Sequence, residues 1–136
     1  MALGAAVGFE RELARKPAGI RTHMLVSGAA ALFVGLGGVT LAAFGSSDAL
    51  RADPVRIIEA IVTGISFLGA GTIFRSREGQ EVEGLTTAAT ILICAGLGIA
   101  VALRQFTIAI GITVLVLVVL RGLIFVESWI GRRGKA

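Results

Sequence analysis

The chain has 136 residues, of which 55% are hydrophobic and 16% charged, and its mean hydropathy is +0.88. This is too apolar for a soluble domain of such length and places the chain among membrane proteins. One cysteine, Cys94, lies inside an apolar run, which excludes an internal disulfide and a cysteine zinc cluster. The net charge of +4 and the pI near 10.6 would suit nucleic acid, but the basic residues flank apolar runs. Topology explains such flanks without a nucleic-acid partner, and none is expected.

The opening "MALGAAVGF" has the composition of a membrane helix, but its nine residues rise only about 14 Å and cannot span. It reads as the last part of a shortened first helix; a signal peptide would need a basic region before the apolar stretch. Phe9 to His23 then gathers six charged residues, namely Glu10, Arg11, Glu12, Arg15, Lys16 and Arg21. About 20 apolar residues in a helix cross a bilayer, and four runs qualify. They are Met24 to Gly45, Ile57 to Phe74 with Glu59 inside it, Leu85 to Leu103, and Phe106 to Val126 with Arg121 near its end. The expected fold is an all-α membrane protein, a bundle of four full transmembrane helices plus the shortened first one. Residues 1–131 are expected to form the membrane domain and 132–136 a short basic tail, and no soluble C-terminal domain is expected.

Basic flanks stay on the cytoplasmic side. With the first loop inside, nine lysines and arginines lie inside and three outside, Arg121 left to snorkel inward. The N-terminus is then outside and the C-terminus cytoplasmic. In "ADPVR", Asp53 offers an N-cap and Pro54 sits at the first helical position. In "EGLTTAAT", a glycine precedes Thr86 and Thr87 at a helix start, which reads either as ordinary capping or as a ligand site at the positive end of the helix dipole. Glycines inside the runs (Gly35, Gly37, Gly38, Gly64, Gly69, Gly71, Gly96, Gly98) imply close helix packing. The alternative at Gly69 and Gly71 is a broken helix that exposes backbone to a ligand beside Ser66 and Thr72.

Three blocks, "GFERE…KPAGIRTHMLV", "GISFLGAGTIF" and "VEGLTTAAT", together resemble the MgtC/SapB family of bacterial membrane proteins in its N-terminal transmembrane domain. The blocks stand in the family's order and cover most of Gly8 to Thr90. Ser66 stands where the family usually shows glycine, and Leu92 where tryptophan is common. The resemblance implies a multi-pass inner-membrane protein linked to magnesium homeostasis and growth in low magnesium, in a virulence-associated family. It also implies regulation of a membrane partner such as an ATPase or the ATP synthase.

On the orientation above, all three blocks reach the cytoplasmic interface and can form one cluster. Its candidate residues are Glu10, Arg11, Glu12, Lys16, Arg21, Thr22, His23, Gly69, Gly71, Thr86 and Thr87. Glu10 and Glu12 are expected to pair with Arg11, Arg15 or Arg21. Arg21 is expected to face inward, near Gly71 and Thr86. The bland reading is a topology signal with structural ion pairs. Glu59 and Ser66 are the candidate polar residues within the membrane. Mg²⁺ keeps its waters and binds through carboxylates, in which the spans are poor, so the runner-up function is a transporter of Mg²⁺ or another cation. No cofactor is implied beyond Mg²⁺ itself, and no metal ligands are assigned. A nucleophile with its base at motif spacing and a Walker-type loop are both missing from the sequence, so the reading is non-enzymatic. The lipid bilayer is one partner, and a homo-oligomer is compatible with the sequence.

Overall fold

A computed structural model of the chain describes residues 1–44, 53–75 and 82–133, of which 44, 75 and 123–133 are described by their backbone alone. Five helices follow in order: α1 (Ala2–Leu13), α2 (Ile20–Phe44), α3 (Pro54–Ala70), α4 (Leu85–Ala102) and α5 (Phe106–Arg133). Between α3 and α4, β1 (Phe74–Arg75) pairs antiparallel with β2 (Val82–Glu83). The expected all-α fold is thus interrupted by one short ladder. Much of the α2–α3 and α3–α4 connections, including Arg51 and Arg77, lies outside the described residues, as do residues 134–136 of the expected tail.

Local chemistry sets the boundaries. Pro17 lies before α2, and the Glu12 carboxylate accepts the Ile20 N–H at 3.0 Å, so the helix starts four residues before Met24. Arg21, Thr22 and His23 therefore belong to its first turn. At α3 the sequence reading is met in detail: Asp53 accepts the Val55 N–H at 2.9 Å, and Pro54 is the first helical residue. The apolar run Ile57 to Phe74 was expected to stay helical to its end, but α3 ends at Ala70. The Thr72 hydroxyl and the Thr72 N–H both donate to the Gly69 carbonyl, and the Gly71 N–H donates to Phe67, which satisfies the terminal carbonyls. Gly84 then caps α4 at φ +90°, and a β-carbon there would collide with the Thr72 carbonyl. Only glycine meets both demands.

α4 is the central helix, packed against α1, α2, α3 and α5, while α2 also meets α1 and α3. Val7, Ala30, Ile91, Cys94, Ala95 and Ala109 lie at the heart of the core. At the α2–α4 crossing, a β-carbon on Gly98 would collide with the Ser27 carbonyl, so glycine permits the backbones to approach. The glycines do not all serve packing. Gly37 meets Ile57 and Gly69 meets Ala88, but Gly35, Gly38, Gly64 and Gly96 face open space.

The outer surface is apolar. Leu25, Leu36, Val39, Ile108 and Val118 are exposed, and Phe67 is 81% exposed. Such a surface suits hydrocarbon rather than water. Among the described residues two helices, Ile20–Ala43 and Leu85–Ala102, are long and apolar enough to cross a membrane, and the Phe106–Gly122 part of α5 is apolar as well. An apolar cleft of about 690 Å³ opens between α2 and α3, lined by Leu25, Phe33, Ile57, Ile61 and Leu68 among others.

Candidate functional site

The antiparallel course of the helices brings the end of α1, the start of α2, the end of α3 and the start of α4 to one end of the bundle. His23 of α2 touches Thr90 of α4, Gly69 of α3 faces Ala88 of α4, and Glu12 of α1 holds Ile20 of α2. The three blocks quoted from the sequence thus do meet in space.

On α1, Gly4, Val7, Gly8 and Arg11 recur at three- and four-residue spacing and are all buried. The stripe that packs against α2 is apolar or small until its last member. Arg11 is 4% exposed, as is Glu10, and the Arg11 Nε–H donates to Glu10 Oε2 at 2.5 Å. Both charges are withdrawn from water, so each depends on the other. Beside them, Gly8 approaches Ile20 and His23 so closely that a β-carbon would lie 2.7 Å from the Ile20 Cα. Glu12 is exposed, and its carboxylate fills the space where a side chain on Gly19 would lie.

His23 is wholly buried at 0% exposure. Its Nδ1–H donates to the Gly19 carbonyl at 2.8 Å, since a carbonyl can only accept. Its Nε2 lies 3.0 Å from the Thr90 hydroxyl, which is itself 2.9 Å from the Thr87 carbonyl. With Nε2 bare, the hydroxyl donates to the ring; with Nε2 protonated, the ring donates to the hydroxyl and the hydroxyl to Thr87. Rotation of one O–H accommodates either form. Every buried polar side-chain atom among the described residues has a hydrogen-bond partner.

Arg11, Glu10, His23 and Thr87 therefore lie inside the bundle end, and Gly69 is buried against α4. Lys16, Arg21, Thr22, Thr86 and Gly71 are exposed. The inward Arg21 paired with Glu10 or Glu12 is corrected: Glu10 is taken by its neighbour Arg11, Glu12 by the Ile20 N–H, and Arg21 sits on the outer side of the first turn of α2. Nor do threonines cap α4, since its N-cap is Gly84, without a side-chain hydrogen bond. Gly71 ends α3 at φ −63°, so the helix stops there and is not broken in its interior. Glu59 and Ser66 are exposed on α3. Thr90 is the partner that the sequence reading did not single out. Its spacing of three from Thr87, on the buried face of α4 with Ile91 and Cys94, was the available signal.

Chemically, the arrangement is a set of matched donors and acceptors tying three helices together, beside the exposed cations Arg15, Lys16 and Arg21. Among the described residues, no three of His, Cys, Asp and Glu converge as a metal site would require.

Comparison with known proteins agrees with the sequence reading. The model of the MgtC family matches residues 1–129. An uncharacterized protein of Haemophilus influenzae is 35% identical over 99% of this chain and 57% of its own length. Protein MgtC of Salmonella typhimurium is 44% identical over 86% of this chain and 46% of its own. A protein of Escherichia coli K12 named "Putative magnesium transporter YhiD" is 38% identical over 85% of this chain and 53% of its own. The chain thus spans about half the length of the curated relatives it matches. No solved structure matches. With nearly the whole chain matched by the family model, and apolar helices that present their side chains outward, this is a membrane protein that belongs to the MgtC family.

Proposed function

We propose that the chain is a non-enzymatic inner-membrane protein of magnesium homeostasis or adaptation to low magnesium, acting on a membrane partner such as an ATPase or ATP synthase. Residues 1–131 are one membrane unit in which α2, α3, α4 and α5 all cross the bilayer, and 132–136 is a basic tail. The N-terminus is outside and the C-terminus cytoplasmic, as the distribution of lysine and arginine favours. The observation that carries this reading is the buried Glu10–Arg11 pair. It neutralises the one buried carboxylate among the described residues, so the interior of the bundle end offers little to a cation, and the exposed Glu12 carboxylate already accepts the Ile20 N–H, whereas Arg15, Lys16 and Arg21 are exposed there. Exposed cations suit an acidic partner surface or lipid phosphate. The name of the Escherichia coli relative supplies the link to magnesium.

Transport of Mg²⁺ or another cation is the second reading, favoured by the name of the Escherichia coli relative and by Glu59 on α3. Mg²⁺ flux into liposomes that contain only this protein separates the two. No flux above empty liposomes is expected; flux abolished by Glu59→Gln would replace regulation with transport.

A further inference from the structure

α3 has two unlike sides. Ile57, Ile58, Ile61, Ile65 and Gly69 belong to or pack against the core. Opposite them, Arg56, Glu59, Thr63 and Ser66 recur at intervals of three, four and three residues, which aligns them along one face of a helix, and all four are exposed. Among the described residues neither Arg56 nor Glu59 has an ion-pair partner, since the single ion pair is Glu10–Arg11. The Thr63 hydroxyl donates to the Glu59 carbonyl at 2.8 Å and the Ser66 hydroxyl to the Val62 carbonyl at 2.7 Å. Their protons are used within the helix, and what they present outward is small. Ala70 continues the face and is also exposed.

We propose that this face is the contact between two copies of the chain, lying side by side in the membrane with their α3 helices in the same direction. The inference rests on α3 being a membrane span. A two-fold contact needs a self-complementary surface, and this face has one. Arg56 and Glu59 lie about 4.5 Å apart along the axis, within reach of an arginine side chain from a parallel helix. Two reciprocal Arg56–Glu59 pairs then form across the axis, while Thr63, Ser66 and Ala70 meet their own counterparts and let the backbones approach. Left toward lipid, the Arg56 and Glu59 charges would face a solvent that can neither pair nor hydrogen-bond them. A second copy answers both charges at once. A partner of another sequence would need the mirrored order of charges at the same depth.

Oxidative cross-linking in native membranes tests this, with the unsubstituted chain as control for the buried Cys94. Ser66→Cys should give mostly cross-linked dimer, and Leu68→Cys, at nearly the same depth on the cleft side, should not. In the Ser66→Cys chain, Arg56→Glu or Glu59→Arg should each lower the dimer yield at least about five-fold, roughly 1 kcal/mol, and the two together should restore it. That restoration separates a charge contact from a folding defect. Equal cross-linking at 66 and 68, none at 66, or failure of the double exchange to restore it would overturn the proposal. A membrane-impermeant maleimide applied from both sides reads the span separately. Ser66→Cys left unlabelled and uncross-linked sinks the dimer alone; labelling from water sinks the span, whatever the cross-linking yields.

Discussion

Two regions of the molecule handle polar residues in opposite ways. At the junction of α1, α2 and α4, Glu10, Arg11, His23 and Thr90 are buried and satisfied by one another or by nearby backbone, including the Thr87 carbonyl. On α3, Arg56, Glu59, Thr63 and Ser66 are exposed, with the hydroxyls bonded only to their own helix. Hydrocarbon penalises a polar group that lacks a partner, so a membrane chain must find partners internally or borrow them. The first region has found them. The second holds its polar groups where another chain can supply them, and this difference predicts where substitutions damage folding and where they damage association.

The largest effect is expected at Arg11. Arg11→Ala leaves the Glu10 carboxylate buried beside no cation, a loss of about 3–5 kcal/mol. Thermal unfolding in detergent should show it, as should a reduced yield of folded protein. Glu10→Leu together with Arg11→Met should recover most of the loss, because an apolar pair of similar volume carries no desolvation cost. Glu59→Gln on α3 should leave the unfolding temperature unchanged. Equal damage at both positions would erase the distinction between the regions.

Next comes the backbone approach that brings α2 and α4 together. Gly98→Leu should cost about 3 kcal/mol, the upper end for overpacking, because even its β-carbon would collide with the Ser27 carbonyl. Gly64→Ala has open space before it and should leave stability unchanged or raise it by about 0.5–1 kcal/mol through helix propensity. The same thermal measurement in detergent checks both. If Gly64→Ala destabilises as Gly98→Leu does, the exposed side of α3 is already part of the packed chain in solution.

Thr90→Val should cost about 1–2 kcal/mol, since it keeps the shape of the side chain but removes the hydroxyl that meets His23 Nε2. Thr86→Val, on an exposed position one turn earlier, should be neutral. Guanidinium or heat titration of both variants in the same detergent reads the contrast. A cost for Thr86→Val that matched Thr90→Val would mean that the bundle end closes over a surface now exposed.

Much of this was legible in the sequence, and the failures have a common cause. Uncharged runs located the helices, and Asp53 with Pro54 located the start of α3, because capping and span length are local properties. The meeting of the three blocks followed from antiparallel succession. Which charges turn inward did not follow, because that depends on helix phase at a junction. Beginning α2 at Ile20 instead of Met24 puts Arg21 on the outer side and His23 inside, and the continuing Gly4, Val7, Gly8 stripe carries Arg11 inward. The alternating three- and four-residue steps of Gly4, Val7 and Gly8 on α1 were visible in "GAAVGFER", and they continue to Arg11, which marks it rather than Arg21 as the buried cation.

Arg21 is where the smallest effect on folding and the sharpest test of the bundle end coincide. Its side chain is exposed and both nearby carboxylates are engaged elsewhere, so Arg21→Ala should change stability by no more than about 0.5 kcal/mol. If the exposed cations of this end meet a partner or lipid phosphate, the same variant should still impair growth in low magnesium. Arg21→Lys should then restore growth fully, because a surface contact of this kind needs charge more than the planar fork of guanidinium. Rescue only by arginine would point instead to a bidentate partner group, and a stability loss near that of Arg11→Ala would return Arg21 to the interior. Normal growth of Arg21→Ala, with stability also intact, would leave this residue as one of the positive charges that hold the loop on its side of the membrane and nothing more.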